Sequence, residues 1–134
     1  MAVKKCIAVI GLETAQGMIL IRALAAGPYR LLIFKQEGCE SDVAVDGLKL
    51  EFPEAEIEIV GCAFDAAWEA DAIILATDVR EEEALALKIR QVATRKPVIR
   101  ISNPGHIPTD ALQSLLPDSD VVTAVNTAQV MQMI

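Results

Sequence analysis

The chain has 134 residues, 53% of them hydrophobic and 23% charged. That fits about one domain with a buried core and excludes a disordered or collagen-like chain. Twelve Lys and Arg against nineteen Asp and Glu leave a net charge of −7, so neither nucleic acid nor an anionic membrane, which both demand a positive field, is expected as a partner. Such a balance still leaves room for one local basic pocket around a phosphate ligand.

The longest apolar runs fall far short of the roughly 20 residues of a membrane-spanning helix. Met1 to Lys5 carries the charge of a signal-peptide start, but Cys6 to Ile10 is too short an apolar stretch before Gly11 and Glu13. A cytoplasmic protein is expected. Cys6, Cys39 and Cys62 are odd in number and widely spaced. They support neither a disulfide framework nor a zinc site, and idle or buried thiols are expected, with no metal.

The first element is Cys6 to Ile10, apolar on both faces as a buried parallel strand should be. Gly11 stops it. A helix is expected from about Ala15 to Ala26, with Ile19, Ala23 and Ala26 on one face and Leu20 and Leu24 beside them. Gly27 and Pro28 end it, Gly27 accepting the left-handed conformation after the last turn. Leu31 to Phe34 is the second strand. Ser41 to Phe52 reads either as a hairpin around Asp46-Gly47 or as a helix, and the surrounding alternation favours the helix. Glu56 to Val60 alternates polar and apolar, which predicts a strand with one wet face near a sheet edge.

Asp65 is expected to cap a short helix through Ala70, followed by the apolar strand Ala72 to Ala76. Asp78 and Glu81 have the spacing of a capping box for a helix over about Arg80 to Thr94, with Leu85, Ile89 and Val92 on its inner stripe. Its acidic triplet Glu81, Glu82 and Glu83 reads as a solvated first turn suited to the helix dipole. Val98 to Ile101 is a strand, Thr109 to Leu116 a short helix, and Val121 to Val125 a last strand. No repeat or linker divides the chain, so residues 1–134 read as a single domain. About six strands alternating with helical crossovers predict a three-layer α/β fold around a doubly wound, mostly parallel sheet. In such a fold the crevice lies at the C-terminal ends of the strands, where strand order reverses.

The residues after each strand are therefore the candidates. Gly11-Leu12-Glu13-Thr14-Ala15-Gln16-Gly17 follows the first strand. Dinucleotide-binding folds use glycines here for the tight turn, for approach of a pyrophosphate to bare backbone and for close helix packing. Gly11 and Gly17 fit the outer positions, while Thr14 occupies the middle one. A turn that binds nothing is the other reading. Lys35 and Gln36 follow the second strand, where a cation would meet the 2′-phosphate of NADP; an exposed lysine is the alternative. Thr77 and Asp78 follow the fourth strand, Asn103 the fifth and Asn126 the last. The two asparagines offer donors and acceptors to a carboxamide, and both are also turn formers. His106 is the only histidine and has no evident partner. No catalytic residue is assigned.

Ile7-Ala8-Val9-Ile10-Gly11 with Gln16-Gly17, then Ile101-Ser102-Asn103-Pro104, then Val121-Val122-Thr123-Ala124-Val125-Asn126-Thr127 resemble the nucleotide domain of the deazaflavin-dependent NADP oxidoreductases. That family shows a strand before G-G-T-G-x-Q-G, a later A-T-N-P and then V-V-K-A-F-N-T. The order and spacing agree along nearly the whole chain. The resemblance implies a Rossmann fold, NADP(H) as cofactor, and hydride transfer to or from a deazaflavin or flavin-like partner. Backbone from Leu12 and Glu13 to Gly17 would hold the pyrophosphate, Lys35 and Gln36 the 2′-phosphate, and Thr77, Asn103 and Asn126 the nicotinamide side.

This sequence departs from the family at Thr14 for Gly, at Lys35-Gln36 for Ser-Arg, at Arg100 for Asp and at Thr123 for Lys. Family chains continue past the Asn-Thr motif to complete the active site. The Met-rich stretch Ala128 to Ile134 is expected instead to pack against the domain or a partner surface. Two further readings are a non-catalytic dinucleotide sensor and a homodimerising interaction module with little or no nucleotide binding.

Overall fold

The computed structural model describes residues 5–11, 15–34, 47–76, 79–101 and 108–133. Six strands form one sheet: β1 (Lys5–Ile10), β2 (Tyr29–Phe34), β3 (Glu56–Val60), β4 (Ala72–Leu75), β5 (Pro97–Ile101) and β6 (Asp120–Ala124). Their order is β3-β2-β1-β4-β5-β6, and every neighbouring pair is parallel. Strand composition explains the order. β1 and β4 are apolar on both faces and lie at the centre. β3 alternates exposed glutamates with half-buried isoleucines and lies at one edge, as its polar period requires.

Each face carries its own core. Helices α1 (Ala15–Ala25) and α6 (Thr127–Met133), with helical residues 47–51 (α2), cover one face and bury Leu20, Ile21, Leu24, Leu48 and Val130 against Ile7, Val9, Leu31 and Ile33. Helices α3 (Ala63–Glu69), α4 (Val79–Ile89) and α5 (Thr109–Leu115) cover the other. There Ala63, Ala66, Leu85, Ile89 and Leu112 meet Ala8, Ile10, Ile73 and Leu75. The small residues on α3 let that helix lie close to the sheet. For the uncertain segment 41–52, residues 47–51 are helical, in line with the favoured crossover; residues 41–46 lie outside the described ones. The Met-rich tail forms α6, which buries Val130 and packs Met131 against the α1 side.

Four local expectations are corrected. The inner stripe of α1 is Leu20, Ile21 and Leu24, whereas Ile19 is 58% exposed. The helix is apolar nearly all round, so spacing alone left its phase open and the bulkier set turned inward. Gly27 does not adopt a left-handed conformation; Gly11 is the glycine with positive φ among the described residues. Gly27 is needed for space, because a Cβ there would stand 2.9 Å from the Tyr29 ring. Asp65 sits inside the first turn of α3, and Cys62 occupies the capping position without a side-chain bond. Finally, α4 ends at Ile89 rather than near Thr94. There the chain folds back: the Val92 and Ala93 amides donate to the Ile89 carbonyl, and Arg95, at φ 64°, donates its amide to the Asp118 carbonyl at 2.7 Å.

The N-terminal ends of the strands are closed by a compact polar cluster. The Cys6 amide donates to Asp71 Oδ2 at 2.9 Å, and the Asp71 amide donates to the Cys6 carbonyl at 2.7 Å. Lys96 Nζ donates to the Ala67 and Trp68 carbonyls at 2.7 and 2.8 Å. These are orphan carbonyls of the α3 C-terminus, where a cation also meets the favourable end of the helix dipole. Burial pushes the Cys6 thiol up and the Lys96 ammonium down.

Candidate functional site

Strand order reverses between β1 and β4, the two strands whose successors run to opposite edges. The pairing brings one residue from each strand into a last row below the C-terminal edge: Val60, Phe34, Ile10, Leu75, Arg100 and Thr123. Beyond that row, Gly11 continues from β1 with φ 100°, a conformation that L side chains rarely adopt. Its amide donates to the Phe34 carbonyl at 2.8 Å, and on the other side the Ala76 amide donates to the Ile10 carbonyl at 2.9 Å. β1 is therefore held on both flanks up to its last residue, and the chain leaves the sheet at a residue without a side chain. α1 begins at Ala15 and has no acidic residue in its first turn. The first-turn N–H groups of a helix have no partner within it, and together with the positive dipole end they suit an anion.

Gln16 and Gly17 fall on that first turn of α1. Leu12, Glu13, Thr14, Lys35, Gln36, Thr77 and Asn103 lie outside the described residues, as do Asp78 and His106. Lys35 is the residue directly after β2, and Thr77 and Asn103 belong to the connections after β4 and β5. Asn126 is exposed at the end of β6 and caps the next helix: its Oδ1 accepts the Gln129 amide at 2.9 Å at the start of α6. Gln129 answers by accepting the Val125 amide on Oε1 at 2.7 Å, a reciprocal arrangement like a capping box. The Nδ2 group of Asn126 takes no part in that bond.

Beside these candidates lies a polar group that reasoning from the sequence missed. Arg100 projects from the last row onto the α4 side, with Nη1 donating to Glu82 Oε1 at 3.1 Å. Its Nη2 donates to Thr109 Oγ1 at 3.2 Å and Thr123 Oγ1 at 3.1 Å, and the two hydroxyls are 2.6 Å apart. Glu82 is thus not part of a solvated turn; it is 2% exposed and Arg100 is 3% exposed. A guanidinium in a doubly covered strand is costly unless charge and hydrogen bonds compensate it. The detectable signal was Arg100 between Ile99 and Ile101: a charge in a fully apolar strand requires a partner on a neighbouring element. Arg100 and Thr123, two positions where the chain departs from the resembled family, are directly paired across β5 and β6.

A cavity of about 450 Å³ opens at the opposite end of the molecule, bordered by Ala25, Gly27, Pro28, Phe52 and Glu51. It faces the C-terminal end of α1 and a carboxylate already held by Arg22 at 2.9 Å. Both features repel a pyrophosphate, so that hollow is a poor anion site. Among the described residues there is no cluster of three or more potential metal ligands, and no helix is long and apolar enough to cross a membrane.

No protein-family model matches the chain, and no curated protein matches it. Solved structures do. A lactate dehydrogenase from Eimeria maxima, crystallised with NADH and oxamate, superposes with a TM-score of 0.74 at 11% identity over 91% of this chain and 44% of its own. An imine reductase from Myxococcus stipitatus in complex with NAD+ gives 0.67 at 17% identity, over 90% of this chain and 40% of its own. A putative F420-dependent NADP reductase from Arthrobacter sp. FB24 gives 0.67 at 20% identity, over 91% of this chain and 64% of its own. This chain spans less than half the length of the first two. At such identities the likeness establishes the fold: the parallel sheet ordered β3-β2-β1-β4-β5-β6 between two helical layers is a Rossmann fold of the kind carried by NAD(P)-linked oxidoreductases.

Proposed function

We propose that the chain binds NADP(H) along the C-terminal edge of its sheet and serves hydride transfer with a deazaflavin or flavin partner. The observation that carries the reading is Gly11 at φ 100°, placed at the reversal of strand order, with α1 beginning at Ala15. The group fits there. A Cβ-free residue admits a close approach, the helix start offers amides that have no partner within the helix, and its first turn brings no competing carboxylate. Backbone from Leu12 to Gly17 holds the pyrophosphate, Lys35 and Gln36 meet the 2′-phosphate, and Thr77, Asn103 and Asn126 line the nicotinamide side. When bound, the nicotinamide supplies the hydride chemistry. The protein's part is to bind, to orient and to keep water from the reacting face.

Thermal-shift titration with NADP+, NADPH, NAD+ and NADH tests the reading. A ligand that binds only the folded state adds about 2.7 kcal/mol at about 100 times its Kd. Stabilisation by the NADP pair above the NAD pair is expected. No stabilisation by any of the four rejects the cofactor, and preference for the NAD pair rejects the role of Lys35. NADPH oxidation in the presence of a deazaflavin or flavin then separates an oxidoreductase from a dinucleotide sensor that binds without turnover.

A further inference from the structure

We infer that the hollow between the C-terminal end of α1 and the turn before β3 is a binding site for a small organic cation, an ammonium or guanidinium carried on a short apolar body. The inference is independent of the dinucleotide reading. The hollow measures about 450 Å³, within the range of small-molecule sites. β2 and β3 are parallel neighbours, and the hollow lies where the chain turns from a helix into each of them. Gly27-Pro28 leads from α1 into β2, and Phe52 to Ala55 leads from α2 into β3. Small residues leave the space. Ala25 closes α1, Ala26 follows it, and at Gly27 a Cβ would stand 2.9 Å from the Tyr29 ring.

The polar features of the hollow favour a positive charge. α1 and α2 both end at it, and a helix C-terminus is the negative end of the helix dipole. The Ala26 and Gly27 amides close α1 on the Arg22 and Leu24 carbonyls at 3.3 and 3.0 Å, and the Phe52 amide closes α2 on the Leu48 carbonyl at 2.8 Å. In each case the next residue is a proline, Pro28 or Pro53, which brings no N–H. Glu51 and Glu54 add carboxylates, and no lining residue is basic. Arg22 stands outside the lining and bonds Glu51 at 2.9 Å, which leaves the sign of the two helix ends unchanged.

The rest of the wall is hydrocarbon, from Pro28, Phe52, Pro53 and Ala55. Phe52 and Ala55 pack against the core on the α1 side of the sheet, so this wall is in place before a ligand arrives. An inorganic cation would use only the acceptors. An organic cation sets its charge at the helix ends and its carbon body on the proline and Phe52 surfaces, the mixture of few polar groups and apolar lining that small-molecule sites use. α1 begins at Ala15, at the far side of the sheet from this hollow, so a ligand here does not obstruct the crevice beyond Gly11.

The test uses benzylammonium as the probe, with benzyl alcohol and benzoate as neutral and anionic counterparts of nearly the same shape. Each is titrated into the full chain and followed by amide NMR. Benzylammonium should give saturable shifts at Ala26, Gly27, Glu54 and Ala55, with a Kd in the millimolar range and about tenfold below that of benzyl alcohol, and benzoate should give none. Glu51→Gln combined with Glu54→Gln, both at exposed positions, should weaken benzylammonium about fivefold and leave benzyl alcohol unchanged. Ala26→Phe, which fills the space, should abolish the shifts from both. Circular dichroism and melting confirm that the variants are folded. A preference for benzylammonium over benzyl alcohol below about threefold would make the hollow an unselective apolar contact and overturn the inference. So would shifts that saturate elsewhere on the chain, an absence of saturation by about 20 mM, or unchanged benzylammonium affinity in either folded variant.

Discussion

Arg100 and Glu82 meet with their side chains only 4% and 3% exposed, Nη1 lying 3.1 Å from Oε1. Breaking such a pair by removing one partner deprives the other buried charge of this counter-charge, at a cost of about 3–5 kcal/mol. Arg100→Met and Glu82→Leu, each alone, are therefore expected to destabilise the fold by that order. The double variant should recover most of the loss, because both desolvation penalties disappear together. Urea denaturation of the four proteins closes the cycle. Single variants within about 0.5 kcal/mol of wild type, the usual range for exposed positions, would contradict the burial of the pair.

Gly11→Ala should cost about 1–3 kcal/mol, the strain of a side chain held at φ 100°. Its amide bond to Phe34 at 2.8 Å and the neighbouring Ala76–Ile10 bond at 2.9 Å leave the backbone little freedom to relax. Under the proposed function dinucleotide affinity should drop as well, since the methyl group is added at the residue where the chain leaves β1. The checks are chemical denaturation and a binding titration. A variant as stable as wild type would show that the turn adjusts and that the φ of Gly11 imposes no constraint.

Asn126 separates capping from ligand binding. Asn126→Ala removes the acceptor for the Gln129 amide and should cost about 1 kcal/mol. Asn126→Asp keeps an oxygen acceptor near the dipole-positive start of α6 and should retain wild-type melting. It lacks the amide donor, so a folded Asn126→Asp protein that binds the dinucleotide as well as wild type would remove Asn126 from the nicotinamide side.

The two described thiols should differ sharply. Cys6 is buried, and that burial raises its pKa above the ordinary 9.0, whereas Cys62 is exposed. Alkylation followed by peptide mapping should label Cys62 in the native protein and Cys6 only on unfolding, since the thiolate is the reactive form. The same shift has a consequence for stability. A thiol whose folded pKa is raised contributes stability that is full below pH 9.0 and lost as pH rises through the folded value. Lys96 runs the other way: burial lowers its folded pKa below 10.5, so its contribution improves as pH climbs from that lowered value toward 10.5. Cys6→Ala should therefore flatten the alkaline loss seen in pH-dependent melting. An unchanged alkaline limb would exclude Cys6 as its source.

Much of the architecture was legible in the residues themselves. Cys6 to Ile10 and Ala72 to Ala76 are apolar on both faces, as buried strands should be; Glu56 to Val60 alternates, as a strand near an edge should. Hydrophobic period is a local property, so a chain that obeys it discloses its elements and their layer. The crevice candidates followed from the same logic, because in a parallel sheet the residues after each strand share one edge. The sequence did not reveal which of several equivalent choices the packing would take. It left the phase of α1 open, since Ile19 and Ile21 are equally apolar and only the sheet beneath distinguishes them. It also could not disclose why Arg100 stands in β5, because its partners Glu82, Thr109 and Thr123 are 18, 9 and 23 residues away along the chain. A buried charge is tolerable only when distant groups arrive together, and that is decided by the folded chain as a whole.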